Sequence, residues 1–406
     1  MSSDDRGRAP LAGVRVLDFS RVLAGPHCGR LLTDLGADVI KVEPPQGDLT
    51  RFATIRVNSL ATYFIQQNVG KRNISLDLSK PEATELLLRC IPHVDVVLEN
   101  FRPGVMARMG LGYERLAEHN PRIVYGSISG WGQDGPWRDR PAYAPTVHAE
   151  MGWLELDARA AGRTPTHMPF SHADVYSGIH ATVGILAALF QREHTGRGQH
   201  VDVAMGEVLL SSNEHLASEF VEWREDPHPF DRASPIFRTR GGWVTVSGDP
   251  IPRGAFQSWC RAMGRDDLAD DPRFGDDAAR TAHRGELMHV LQEWILTFDD
   301  LPSLEAALQK GRLVLGEVRT ITDAASSEWV AARGAVVEVS DRGEGTIKVP
   351  NTPWRFSGAR SGVHGRPAYR GEHNREVFSE LAGASEAELD ALEAAEVLSS
   401  RGPTAR

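Results

Sequence analysis

Leu11-Ala-Gly-Val-Arg-Val-Leu-Asp-Phe-Ser-Arg-Val-Leu-Ala-Gly-Pro26, followed by Leu35-Gly-Ala-Asp-Val-Ile-Lys-Val-Glu43, is the stretch whose reading decides the fold. An apolar run at 14–19 has the length and β-branched content of a strand. The turn Val22-Leu23-Ala24-Gly25-Pro26 leads from it into a helix, and a second apolar strand follows at 39–42. Strand, helix and strand in this order make a βαβ unit, whose two strands must run parallel. Working outward, further strands are expected at 74–78, 94–99 and 123–127, with a helix at Pro81–Cys90 after Ser79. The alternation predicts an α/β, Rossmann-like large domain with helices on both faces of a parallel sheet. Such sheets bind ligands outside the carboxyl ends of their strands, which draws attention to the turn after the first strand.

A long helix is expected from about 171 to 194, with Gly196 as its stop, then a strand at 200–204 and a helix over 206–223. Composition shifts near 226–235, rich in Pro, Asp and Arg, where a domain boundary is placed. The reading is therefore a large domain over 10–225, a smaller α+β domain over 226–330, and a return segment over 331–397 that completes the first. In the small domain a strand is expected at 242–247 and helices at 256–263, 284–298 and 303–310. Strands at 335–339 and 346–349 flank a Gly-rich turn and read as a hairpin. The tails, 1–9 and 398–406, are expected to be mobile.

At 406 residues the chain has room for two domains, and with 41% apolar and 25% charged residues it is globular. A formal net charge of −10 argues against a broad nucleic-acid surface. Cys28, Cys90 and Cys260 are far apart and form no CxxC pair, which suits reduced thiols in a cytoplasmic protein. The first ten residues hold no apolar signal core, and the apolar stretch 178–190 is short for a bilayer, so neither export nor a membrane partner is expected. Gly126-Ser127-Ile128-Ser129-Gly130 has isoleucine where a nucleophile elbow needs serine, and Gly110-Leu111-Gly112 lacks the third glycine of a dinucleotide loop. No Walker loop, HExxH or CxxC is present, so no metal and no permanently bound cofactor is expected.

Four segments in register carry more information: the opening stretch, Asn68-Val-Gly-Lys-Arg-Asn-Ile-Ser-Leu-Asp77, Glu99-Asn-Phe-Arg-Pro-Gly104, and Ala173-Asp-Val-Tyr-Ser-Gly178 running on to Thr195-Gly-Arg-Gly-Gln-His-Val-Asp-Val203. Together they resemble the family III coenzyme A transferases, the formyl-CoA and crotonobetainyl-CoA transferase group. The likeness extends to Asp271-Pro-Arg-Phe274 and Gly371-Glu-His373. It implies an enzyme that moves coenzyme A from an acyl-CoA to a carboxylic acid, with CoA thioesters as substrates, and an interlocked homodimer threaded through the segments 204–235 and 320–370.

The resemblance puts the catalytic carboxylate at Asp174. A carboxylate attacking a thioester gives a mixed anhydride and free thiolate, and the thiolate can return to leave an enzyme–CoA thioester. Ser171-His172-Ala173-Asp174 also matches the capping box, in which the acid merely ties off the helix start. The resemblance further implies CoA contacts from Val22, Leu23, Ala24, Asn68, Lys71, Asn100, Phe101, Arg102 and Arg108, with Arg140 and Tyr143 at the mouth of the cleft. A single arginine without context is more often solvated surface charge. Ala144 stands where these transferases carry an acid, and a long glycine lid is missing, since the second half offers only Arg240-Gly241-Gly242 and Ser247-Gly248-Asp249. Related α-methylacyl-CoA racemases carry histidine where Tyr143 stands; His148 is five residues on and reads as a packing or surface residue. A racemase and a non-catalytic CoA-binding protein are the alternatives. Trp131, Trp153 and Trp243 are candidates for an acyl pocket or for plain core.

Overall fold

The computed structural model describes residues 9–221 and 234–401. They fall into two compact units, one running to Leu216 and resuming at Ala331, the other from Ala217 to Val330. The boundary expected at 226–235 lies almost wholly outside the described residues.

The first unit is built on a six-stranded sheet: β1 Arg15–Asp18, β2 Asp38–Glu43, β3 Arg72–Ser75, β4 Val96–Glu99, β5 Val124–Ser129 and β6 His200–Ala204. Every pairing is parallel, and the spatial order is β3-β2-β1-β4-β5-β6. This is the doubly wound order in which the winding reverses between β1 and β4, opening a crevice at their carboxyl ends. One face is covered by α1 Ala24–Asp34 and the 24-residue α6 His172–Thr195, the other by α3 Pro81–Cys90 and α11 Asn374–Ala382. Strand residues alternate between the two cores: Val16 and Leu98 pack with Cys28 and Ile185, Leu17 and Val97 with Leu87 and Phe378.

The third strand begins two residues earlier than the apolar pattern suggests. Its polar residues are matched by partners that a single segment does not reveal. Asn73 Oδ1 accepts from Gly371 N–H at 2.7 Å, Asn73 N–H donates to His373 Nδ1 at 3.1 Å, and Ser75 N–H donates to Asn374 Oδ1 at 2.8 Å. The Gly371-Glu-His-Asn374 motif thus fastens the returning chain along an otherwise open sheet edge. The C-terminal segment adds to this cover: Leu398 is buried and bridges Leu76, and Ser399 N–H donates to Ser75 O at 3.0 Å. Leu398–Ser400 are therefore anchored, contrary to the expectation of a mobile tail from 398. The helix expected over 206–223 stops early, as α7 Met205–Ser211. The Asn213 side chain accepts from His215 N–H at 3.0 Å, a local turn that competes with helix continuation.

The second unit holds a three-stranded antiparallel sheet, β7 Ile236–Arg238, β8 Trp243–Val246 and β9 Leu315–Glu317, packed on α8 Arg253–Met263, α9 Arg284–Ile295 and α10 Leu301–Lys310. Trp259 is fully buried there, its indole N–H satisfied by Gly248 O at 2.9 Å. The hairpin β10 Val336–Ser340 and β11 Thr346–Pro350 belongs to the first unit.

Helix α6 is apolar and long enough to cross a bilayer by length and composition alone, yet its Ala173, Ala181, Ile185 and Ala188 lie in the core against the sheet. It ends at Gly196, whose φ of 71° is the left-handed stop that glycine adopts without steric cost. Its crossing over α1 is close because position 178 has no side chain. A Cβ there would meet Ala24 O at 2.7 Å and Cys28 N at 3.2 Å. We expect Gly178→Ala to push the two helices apart and destabilise the unit by about 1–3 kcal/mol, read as a fall in the urea midpoint. An unchanged midpoint would mean that this crossing is slack.

Candidate active site

The crevice is shaped by turns that buried charges hold in place. After β1, Asp18 Oδ1 accepts from Ser20 N–H at 3.0 Å, while Asp18 Oδ2 pairs with Lys71 Nζ at 2.8 Å, both side chains being buried. Lys71 also donates to Pro26 O at 2.8 Å and Asn68 Oδ1 at 3.0 Å, so its three N–H bonds are all used. Burial pushes the Lys71 ammonium down to about 8 against the opposing pull of Asp18. A second buried pair, Lys41 Nζ to Asp48 Oδ2 at 3.1 Å, lies alongside; Lys41 also donates to Ser20 O at 2.8 Å, and Asp48 Oδ2 accepts from Val22 N–H at 3.2 Å. Val22 is thereby held at φ 66°, a conformation that β-branched residues avoid.

The turn after β4 is fastened to the first. Asn100 accepts from Arg21 N–H at 2.7 Å and donates to Arg21 O at 2.8 Å, so one side chain pairs with both backbone groups of Arg21. Glu99 Oε2 accepts from Phe101 N–H at 2.7 Å and fixes the start of the same turn; burial pushes its carboxyl up to about 7 against the donors Ser127 and Phe101. Gly25 is required where the turns meet, since a Cβ there would overlap Ser20 and touch Asn100.

Between these turns opens a cavity of about 300 Å³. Asp174 lies in its wall, with Val22, Ala24, Asn100, Phe101, Arg102, Arg140 and Tyr143 among the expected residues. Asp174 does not serve as a cap for its own helix: Ser171, at the N-cap, makes no side-chain capping bond. The carboxylate instead lies close enough to the backbone N–H of Ala24 for that amide to favour its charged form, Ala24 being the first residue of α1, which has no side-chain cap of its own. Two helix N-termini therefore converge on one carboxylate. Burial pushes the Asp174 carboxyl up to about 6, and the Ala24 amide opposes that shift.

The structure sorts the other sequence candidates. Asn68 and Lys71 do not reach the cavity: Asn68 is buried, donating to Phe64 O at 3.0 Å and accepting from Lys71. Both side chains instead support the α1 turn, Lys71 through Pro26 O and Asn68 through Lys71. Leu23 is buried behind the turn. Arg108, on the short turn Val105–Arg108, is exposed beyond the cavity wall and packs over Gly104. Arg140 lies over the rings of Trp137 and Trp131, 4.4 and 5.5 Å from their centroids, with Glu150 at 2.5 Å. Tyr143 is 66% exposed at the head of α4 Ala144–Glu150. Ala144 is buried, so an acid at this position would point into apolar core. His148 is also buried, a packing residue as expected, but with a polar contact that spacing did not reveal.

Sequence reasoning missed Arg138, which lines the cavity, and two residues with more to say. Arg21 stands inside the quoted motif, and its guanidinium lies 5.1 Å over the Phe101 ring at the cavity wall. Its Nε is buried with no hydrogen-bond partner among the described residues. Burial pushes its pKa down while Asp48 and Glu43 oppose. Tyr63, on α2 Thr62–Asn68, is close enough to Asp174 for burial and then the Asp174 and Asp48 charges to push its phenol up to about 12. The strand-to-turn position was the available signal for Arg21; none marked Tyr63. Among the described residues no group of three or more His, Cys, Asp or Glu is placed to hold a metal ion.

The chain is similar to known proteins over most of its length. The family model for CoA-transferase family III matches residues 11–374. A succinyl-CoA–D-citramalate CoA-transferase of Chloroflexus aurantiacus is 35% identical, over 98% of this chain and 100% of its own. A succinate–glutarate CoA-transferase of Agrobacterium fabrum is 32% identical, over 92% and 96% respectively. The crystal structure of a CAIB/BAIF family protein from Brucella suis superposes with a TM-score of 0.79 at 32% identity, covering 92% of this chain and 100% of that one.

Two measurements test the geometry. Lys71→Met leaves Asp18 buried and unpaired, and is expected to cost about 3–5 kcal/mol of stability; full stability with weakened CoA binding would restore Lys71 as a ligand contact. If the Asp174 carboxylate must be ionised to react, kcat/KM for an acyl-CoA should fall on the acid side of about pH 6. The same limb with a 3′-dephospho thioester would assign it to the enzyme. A flat profile from pH 5 to 8 would contradict it.

Proposed function

This chain belongs to CoA-transferase family III and is a CoA transferase; we propose that it transfers CoA through a covalent intermediate on Asp174. The observation that carries this reading is a carboxylate in the cavity wall, not engaged in capping its own helix and facing the Ala24 amide. An Asp174 oxygen attacks the thioester carbonyl, the C–S bond breaks, and CoA leaves as thiolate, giving a mixed anhydride. The thiolate then attacks the aspartyl carbonyl, releasing the donor acid and leaving an aspartyl–CoA thioester. The acceptor carboxylate reverses these steps and departs as the new acyl-CoA, so no net proton or electron is needed. The Ala24 N–H orients the carboxylate for attack. Arg21, Arg102 and Arg108 offer cations to the phosphates of CoA along the rim.

The donor and acceptor are proposed to be short dicarboxylic acids or their thioesters. The two relatives above are named for such acids, and Arg21, Arg138 and Arg140 line the cavity beside Asp174. The racemase reading lacks its second base: Tyr143 replaces the histidine, and His148 is turned onto the backbone of Ala173. We also propose an interlocked homodimer, supported by the outward apolar side chains of α6, with Val183 62% and Phe190 70% exposed. A cytoplasmic location accords with three buried, unpaired cysteines.

Incubation with succinyl-CoA and hydroxylamine should inactivate the enzyme with a single modification at Asp174, located by peptide mass. Asp174→Ala should lose roughly 10³-fold or more of its transfer rate while still binding CoA. Modification elsewhere, or a variant with near-normal turnover, would overturn the assignment. Arg21→Ala should weaken CoA binding about tenfold, or ~1.4 kcal/mol; an unchanged Kd by calorimetry would remove it from the site.

A further inference from the structure

Helix α6 needs an acceptor at its start, and Ser171 does not supply it. The N–H of Ala173, immediately before Asp174, instead donates to His148 Nε2 at 3.0 Å. His148 comes from α4, the helix that begins beside Tyr143 at the cavity wall. Its ring is 2% exposed, stacked on Trp153 at 6.2 Å and 17°, and 6.1 Å from His172. A backbone amide can only donate, so Nε2 must present its lone pair; the imidazole is neutral, with its proton on Nδ1. Protonating Nε2 would set one N–H against another.

Building on Asp174 as nucleophile, we propose that His148 is a positioning residue whose neutral ring caps the nucleophile helix and holds Asp174 against Ala24, and whose protonation releases that cap. The surroundings keep the ring neutral. The titratable groups acting on it are His172, the first residue of α6, and His167, from the segment leading into it, and neither supplies negative charge. Burial, then these two imidazoles, push its pKa below the usual histidine value. On its own helix Glu150 is paired with Arg140. From α5 Trp153–Ala160 comes the uncharged Trp153, and α7 turns Met205 and Leu209 into this core while Glu207 faces solvent. Asp174 itself lies one residue beyond the capped amide.

Two substitutions separate the cap from the bulk of the ring. His148→Gln retains an acceptor oxygen that does not titrate near neutrality; His148→Phe fills the space without one. Full-length enzymes would be mixed with succinyl-CoA, and the rate of aspartyl–CoA adduct formation followed by rapid quench and mass spectrometry. H148F should form the adduct roughly 10–100-fold more slowly, with CoA affinity unchanged. H148Q should stay within about threefold of wild type at neutral pH. On acidification the wild-type rate should fall with the steepness of two protonations, His148 and Asp174, and the H148Q rate with that of one. Thermal melts give an independent arm. A ring neutral when folded takes up a proton only on unfolding, so wild type should lose stability relative to H148Q as pH drops below about 6.5. Equal melting differences at pH 5 and 8, or wild-type adduct kinetics and pH limb in both variants, would overturn the proposal. If H148F does not fold, H148Q alone decides. If wild type forms no adduct, the nucleophile assignment fails instead, and the melts still judge the cap.

Discussion

Two buried lysine–aspartate pairs, Lys71 with Asp18 and Lys41 with Asp48, hold the turn on which the active site depends. Taking four charges out of water is costly, and such pairs seldom add net stability over an apolar filling. Their value lies in direction. Each ammonium also donates to a backbone carbonyl of the same turn, Lys71 to Pro26 and Lys41 to Ser20, and each carboxylate accepts from one of that turn's amides. An apolar core would hold the segment together without specifying where the Ala24 N–H points. Here the pairs fix the turn between β1 and α1 at the point where the sheet reverses its winding, and every feature of the cavity is measured from it.

The Asp174 carboxylate sits under two opposing forces. Burial raises its pKa, while the Ala24 amide at the start of α1 favours its charged form. A value of about 6 leaves the carboxylate mostly ionised at pH 7. It also leaves it more basic than a solvated aspartate, and basicity tracks nucleophilicity toward an acyl carbon. A carboxylate held by many donors would be well ionised but inert. One opposing amide and partial burial are a compromise between those limits.

Much of this was legible in the chain. Apolar runs placed five of the six strands within a residue or two, and the strand-to-helix turn at Val22–Pro26 pointed to the right end of the sheet. The residue types that the motif needs were legible too, but their partners were not. Lys71 and Asn68 look like ligand contacts in one dimension because a lysine beside a strand end suits phosphate. Only the fold shows that Asp18, 53 residues away, claims the ammonium. The capping box at Ser171 failed for a similar reason. Local spacing is satisfied, but His148 supplies a better acceptor from a separate helix, and Asp174 is released for the cavity. Arg21 had its strand-to-turn position as a signal, but residue type alone does not separate a buried, unpaired guanidinium from a solvated one.

Val22 shows what the site demands of its scaffold. A valine at φ 66° carries about 1–3 kcal/mol of backbone strain, and glycine at this position would carry none. Glycine would also free the turn, which now has to present three consecutive features: Arg21 clamped by Asn100, Val22 held by Asp48, and Ala24 facing Asp174. With an ordinary φ at Val22, the chain leaving β1 would run on past the crevice, and its amide would turn from Asp48. The strain is sustained because Asp48 is itself immobilised, by Lys41 on one side and by its own N–H to Glu43 Oε2 at 2.7 Å on the other, with Glu43 gripped by Arg51 at 2.6 Å. Rigidity therefore passes inward along a chain of charges from Arg51 to the backbone of Val22. It ends beside Ala24 and the Asp174 carboxylate in the cavity wall, where a fixed geometry is what the proposed attack would need.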